Sequence, residues 1–82
     1  MSTYEQKKIE LELKNFTQRN FDSPSNCRNI DQIVFYVREL CQKIDEYEKR
    51  FNYVPAWAYT LLAQYNNAHN QLVYVQFTKT YA

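Results

Sequence analysis

The most reactive side chains in this sequence are two cysteines and one histidine, and their spacing does not suit a reactive centre. Cys27 and Cys41 are 14 positions apart, and His69 follows 28 positions after Cys41. A structural zinc site usually takes four ligands in close pairs, and disulfide frameworks usually contain four or more cysteines. We therefore expect no metal site, no disulfide and no cofactor.

Enzymatic chemistry has little support in the residue pattern. A phosphate-binding loop needs glycine, and the chain contains none. A serine or cysteine nucleophile needs a neighbouring base, whereas the carboxylates here alternate with lysines along helical segments. We expect Cys41 to act as a small hydrophobic residue at the core edge, Cys27 to lie in an accessible loop, and His69 to flank an apolar seam. The sequence thus predicts a protein that is not an enzyme.

Basic residues and tyrosines raise the alternative of a nucleic-acid-binding accessory protein. The N-terminal segment contains Lys7, Lys8, Lys14 and Arg19, and tyrosines can stack on unpaired bases. Acidic residues interrupt this cluster, however, and the net charge is only +1. Because no continuous basic surface results, nucleic acid is the weaker partner class.

Length and hydropathy indicate one small domain outside the membrane. A chain of 82 residues buries a modest fraction of its unfolded surface. Its beginning lacks the apolar segment of a signal peptide, and no run approaches the twenty or so apolar residues of a membrane span. We expect a cytoplasmic protein that gains stability from a partner or from self-association.

Helical periodicity predicts an all-α fold. The sequence indicates a single domain over residues 1–82, with an N-terminal helix over 1–19, a loop over 20–28 that contains Pro24, a second helix over 29–52 and a third over 55–78. Ser2 or Thr3 can cap the first helix, and Asn29 can cap the second. Residues 72–78 are rich in β-branched and aromatic side chains and could form a strand, but no partner strand is evident.

Two apolar seams predict that the second and third helices form a long antiparallel hairpin. Each seam alternates spacings of three and four residues, which is the heptad pattern. The second helix contributes Ile30, Ile33, Val37, Leu40, Ile44, Tyr47 and Phe51, and the third contributes Val54, Ala58, Leu61, Tyr65, Ala68, Leu72 and Val75. The shorter first helix has a narrow stripe made of Ile9, Leu13 and Phe16.

The third helix has an uncharged second face, which is the candidate functional feature. Residues 1–50 contain nine basic and nine acidic side chains, whereas residues 51–82 contain only Lys79. Opposite the seam lie Tyr59, Ala63, Asn66, Asn70, Tyr74, Phe77 and Tyr81. Depletion of charge with enrichment in tyrosine is typical of the centre of a protein interface. We predict that Tyr59, Asn66, Asn70, Tyr74, Phe77 and Tyr81 bind a partner.

Three coverings of this face are compatible with the sequence. The first helix can fold back onto it to make a three-helix bundle, a second copy of the chain can pack there to make a helical oligomer, or a different protein can bind there. The predicted function is protein binding, as an adaptor, an inhibitor of a larger protein or a structural subunit of an assembly. Enrichment in Asn, Gln, Tyr and Lys is compatible with an AT-rich source such as a phage or mobile element.

Overall fold

The computed structural model describes the backbone of residues 2–81 and the side chains of residues 2–77. It contains three helices, α1 (Thr3–Asn20), α2 (Ile30–Phe51) and α3 (Ala56–Tyr81), with a short 3₁₀ turn at Pro24–Asn26 between α1 and α2. No strand occurs within residues 2–81, and residues 72–78 continue α3. The predicted all-α fold is confirmed.

The boundaries of α1 follow from its capping residues. The side chain of Ser2 accepts a hydrogen bond from the backbone N–H of Glu5 at 3.2 Å, so Ser2 rather than Thr3 is the N-cap. At the other end, the N–H of Phe21 bonds to the carbonyl of Thr17, and the Asn20 amide bonds to the carbonyl of Phe16. These bonds satisfy backbone groups that a helix end otherwise leaves unpaired.

Asparagine residues begin and end α2. Asn29 accepts hydrogen bonds from the N–H groups of Asp31 and Gln32 at 2.8 and 3.4 Å, as predicted. Asn52 closes the helix in the left-handed region, with φ of 51°, and donates its N–H to the carbonyl of Glu48. Asparagine tolerates this conformation better than most residues, so the chain makes the turn without glycine. Pro55 then precedes α3, and the predicted antiparallel hairpin forms.

The core lies between the seams of α2 and α3, with α1 packed beside the connected end of the hairpin, near residues 52–55. Leu13 of α1 is completely buried together with Ile33 and Leu40 of α2 and Ala58 of α3. The ammonium group of Lys43 lies 4.8 Å from the ring centre of Phe16, which fixes α1 against α2.

The two cysteines occupy environments opposite to those predicted. Cys27 is buried with 5 % exposure, although it lies between α1 and α2, and Cys41 is exposed on α2. Cys27 is buried because the segment between α1 and α2 folds against the hairpin. Phe21 is buried with its ring centre 4.6 Å from that of Tyr36, and the segment therefore contributes to the core rather than serving as a simple linker.

The predicted seam of α3 is wrong at its last position. Val75 is 52 % exposed, whereas Ala58 and Tyr65 are buried and Leu72 is partly buried. A strict seven-residue spacing drifts by about 20° per heptad around a straight helix. Within α3, two heptads separate Leu61, which is only partly buried, from Val75, so a further rotation of roughly 40° turns Val75 away from α2.

Candidate protein-interaction surface

The face of α3 opposite its seam is open to solvent. We call this face the outer stripe and define it as Tyr59, Ala63, Asn66, Asn70, Tyr74 and Phe77, all of which are exposed. Tyr59, Tyr74 and Phe77 are 49 %, 71 % and 61 % exposed, which is high for large aromatic side chains. The side chain of Tyr81, the last predicted member, lies outside the described residues.

The first helix covers the other side of α3. Thr17 and Gln18 of α1 border a groove whose opposite wall includes Trp57 and Gln64 of α3. A helix turns about 100° per residue, so positions two residues apart point about 200° apart. Tyr59 and Asn66 therefore lie nearly opposite Trp57 and Gln64. The alternative in which α1 covers the outer stripe is contradicted for the described side chains.

Apolar side chains of α2 extend the exposed surface on the side away from α1. Lys43 marks the α1 side of α2 because it lies over Phe16. Val34 precedes Lys43 by nine residues, a rotation of about 180°, and is 40 % exposed. Cys41 is exposed on the same side, and Val73 of α3, which is 43 % exposed, flanks the outer stripe toward α2.

The outer faces of the two hairpin helices differ in charge. Ion pairs lie along α2, with nitrogen–oxygen distances of 3.0 Å for Lys49 and Asp45, 3.2 Å for Arg50 and Glu46, and 3.8 Å for Lys43 and Glu46. Such pairs are typical of a helix face adapted to water. Residues 51–77 contain no Asp, Glu, Lys or Arg. Partly buried His69 lies beside the stripe with its Nδ1 3.5 Å from Oδ1 of Asn70.

An internal polar cluster holds the segment after α1 in place. The hydroxyl of Tyr65 donates a 2.6 Å hydrogen bond to the backbone carbonyl of Asp22, and the Gln32 amide donates to the Asp22 carboxylate at 3.1 Å. Burial raises the pKa of Tyr65 to about 12 and also raises the pKa of the Cys27 thiol. Both groups therefore stay protonated at neutral pH, which suits structural donors and not nucleophiles.

Two further tyrosines bind α1 to the connected end of the hairpin. Burial, followed by the charge of Glu12 and a hydrogen bond to it, raises the pKa of Tyr47 to about 12. Tyr53 donates a hydrogen bond to Glu10, and this bond raises the pKa of Tyr53. Both contacts involve carboxylates of α1 that alternate with lysines in the sequence. No helical spacing in the sequence indicates these contacts, because each joins two distant segments through a single pair of side chains.

The groove between α1 and α3 was not predicted from the sequence. It is a shallow groove of about 410 Å³ lined by Lys14, Thr17, Gln18, Trp57, Thr60, Leu61 and Gln64. Trp57 is partly buried and forms part of the wall, consistent with its packing against the core. The lining brings together hydroxyl and amide groups with one ammonium group, and no general base faces a nucleophile there.

Metal clusters and membrane-spanning helices are both absent from the described residues. No group of three or more His, Cys, Asp or Glu side chains in this part of the chain is arranged to hold a metal ion. Within the same residues, no helix combines the length and the apolar character needed to cross a membrane. Comparison with protein-family models, with characterised protein sequences and with solved structures found no match.

Proposed function

We propose that this chain is a small non-catalytic protein-binding module that uses the outer stripe of α3 as its contact surface. One observation carries the proposal: a long exposed helix face contains aromatic side chains and no formal charge, beside a helix whose exposed face is rich in ion pairs. Interface centres are depleted of charge and enriched in tyrosine. Contiguous exposed apolar surface on a small protein usually marks an interaction site.

The proposed roles of the stripe residues follow from their chemistry. Tyr59, Tyr74 and Phe77 supply large rigid contact areas, which are the usual anchors of binding energy. Asn66 and Asn70 lie between them, and each amide both donates and accepts hydrogen bonds, so they can fix the register of a partner. Tyr81 is proposed to extend the same stripe.

Within this class, an adaptor, an inhibitor of a larger protein and a structural subunit all use such a surface. We place the protein in the cytoplasm, because both cysteines are free thiols and one of them, Cys41, is exposed. Nucleic acid remains the alternative partner class. It receives less support, because Glu5, Glu10 and Glu12 are interleaved with the lysines of α1 and the net charge is only +1.

The proposal is tested by placing the same negative charge on each hairpin helix. Tagged full-length wild type, Tyr74→Glu and Gln42→Glu are expressed in the natural host, and the proteins retained on each are quantified. Gln42 is exposed on α2 and provides the matched control. Tyr74→Glu should lose the retained proteins, since an unpaired charge in a desolvated contact is costly, while Gln42→Glu should keep them.

Circular dichroism of the three purified proteins separates binding from folding. Because Tyr74 is largely exposed, its replacement should leave helicity and melting temperature close to those of wild type. Retention of the same proteins by Tyr74→Glu would refute the proposal. Loss of retained nucleic acid, with no change in retained protein, would favour the alternative class.

A further inference from the structure

Resting on the proposed function, the geometry points to a second copy of this chain as the occupant of the outer stripe. We infer that two copies meet through α3 in antiparallel orientation, with a two-fold axis passing near position 68. The evidence is the internal symmetry of the stripe, the excess of exposed surface and the absence of charge.

Six exposed positions on this side of α3 are arranged symmetrically about position 68. They are Tyr59, Ala63, Asn66, Asn70 and Phe77 of the outer stripe together with Val73, which flanks the stripe next to Tyr74, and their spacings are 4, 3, 4, 3 and 4. All six are exposed. An antiparallel copy therefore places each position opposite a counterpart. Two-fold interfaces have this property, because each contact occurs twice.

The side chains that meet in this register are chemically matched. Tyr59 lies opposite Phe77 of the second copy, which gives an aromatic pair at each end of the interface. Small Ala63 lies opposite Val73 and its neighbour Tyr74, so a large side chain fills the space beside a small one. At the centre, Asn66 lies opposite Asn70, where two amides can exchange hydrogen bonds. A polar asparagine at such a seam position specifies register.

The surface area also suits a dimer. The chain exposes 6071 Å², whereas a compact monomer of 10.0 kDa exposes about 5,200 Å². The difference of roughly 870 Å² is of the order of the 800 Å² or so that each partner buries in a standard interface. The radius of gyration of 15.0 Å likewise exceeds the value of about 12 Å expected for this length. The elongated hairpin thus has the surface that a second copy would cover.

Charge favours a second copy over a strongly charged partner. The paired positions contain no formal charge, and the net charge of the whole chain is +1. Two copies therefore approach with little mutual repulsion, since near-neutral proteins associate more readily than highly charged ones. A partner selected by charge would require complementary ions on this face, and residues 51–77 provide none.

The test uses light scattering on the purified full chain at roughly 100 µM, above the micromolar Kd that a small specific interface gives. Wild type should have twice the 10.0 kDa mass of the chain. Ala63→Lys and Tyr74→Glu should each weaken association at least about 30-fold, so that their average mass falls toward that of one chain on dilutions at which the wild type keeps the doubled mass. An equimolar mixture of the two variants should regain the doubled mass, because antiparallel pairing places the new lysine beside the new glutamate.

A mixture of Tyr74→Lys and Tyr74→Glu distinguishes the orientation. In a parallel pair position 74 meets itself, so restoration by this mixture instead of the first would overturn the antiparallel arrangement. A monomeric wild type, or a dimer unaffected by Tyr74→Glu, would overturn the inference of a second copy. Neither result would refute the proposed protein-binding function, which is tested separately by the retention experiment in the natural host. There, loss of a different protein from Tyr74→Glu would still support that function.

Discussion

The two long helices of the hairpin share one core and differ in what their outer faces carry. The outer face of α2 has carboxylates and ammonium or guanidinium groups that pair at intervals of three and four residues. The outer stripe of α3 has tyrosine, phenylalanine and asparagine with no formal charge. The inner faces are alike, since Leu40 and Ile44 of α2 and Ala58 and Tyr65 of α3 are all buried.

This contrast separates the requirements of folding from those of binding. A helix needs one apolar face to fold into a hairpin, and residues 43–50 of α2 show that the remaining surface can be made of solvated charge. The large exposed apolar side chains of α2, Val34 and Phe35, are confined to its first two turns. Since α3 has the same folding requirement, its additional uncharged face is not explained by the core. We propose that contact with another macromolecule accounts for it.

The largest expected effect comes from the inner face that both helices share. Leu40→Ala removes a side chain with no exposed surface, and we expect a loss of about 2–5 kcal/mol in the free energy of unfolding. That is a large part of the stability of a small domain. Urea or thermal denaturation followed by circular dichroism measures it. An unchanged melting transition would show that the core assignment is wrong.

The next largest effect is on association and leaves folding unchanged. It compares substitutions at two exposed tyrosines. Tyr74→Ala on the outer stripe should weaken association by about 2 kcal/mol, as expected for an aromatic anchor. Tyr4 is 77 % exposed on α1 and provides the control, because Tyr4→Ala removes the same side chain elsewhere. Analytical ultracentrifugation gives both dissociation constants. Equal dissociation constants for Tyr74→Ala and Tyr4→Ala would show that the outer stripe of α3 is not the contact surface.

Each hairpin helix also has one buried tyrosine with a raised pKa. Tyr47 of α2 and Tyr65 of α3 have pKa values of about 12 in the folded chain, above the ordinary value of 10.0. A raised folded-state pKa contributes stability below pH 10 that is lost as the pH rises toward 12. Melting temperature should therefore fall across this window. The fall should be smaller in Tyr47→Phe and in Tyr65→Phe, and an identical pH dependence in both variants and wild type would contradict the assignment.

The smallest effect is expected on the outer face of α2. Glu46 pairs with both Lys43 and Arg50, yet all three side chains are substantially exposed. Exposed pairs contribute little, so Glu46→Gln should cost less than about 1 kcal/mol of stability and leave association unchanged. Denaturation at low and high salt measures the difference, which should shrink as salt screens the charges. A loss of association would instead place α2 in the interface.

Periodic segments made much of the fold predictable from sequence. The heptad seams identified the inner faces of α2 and α3, and the side chain of Asn29 marked where α2 begins. The same reasoning located the uncharged stripe, because its position depends only on helical geometry and residue type. Val75 shows the limit of this method, since a seven-residue spacing slowly rotates out of register with a real helix.

Apart from Cys41, which is exposed on periodic α2, the remaining errors lie where no periodicity exists. Phe21 and Cys27 belong to a short irregular segment, so no spacing indicated that they are buried. Asp22 was equally unpredictable, because its role depends on Tyr65, which is 43 positions away in sequence. The side of the hairpin that α1 occupies also depends on such single contacts, including those of Glu10 and Glu12 with tyrosines.

Site-specific photo-cross-linking tests most directly whether α3 is the contact face. A benzophenone amino acid replaces Tyr59, Tyr74 or Phe77 on α3, and Gln42 or Glu48 on α2, in the full chain expressed in its natural host. All five positions are exposed, so each probe can react with whatever lies against it. We expect covalent protein adducts from the three α3 positions and few from α2. Equal yields from both helices, or no protein adducts from α3, would contradict the account.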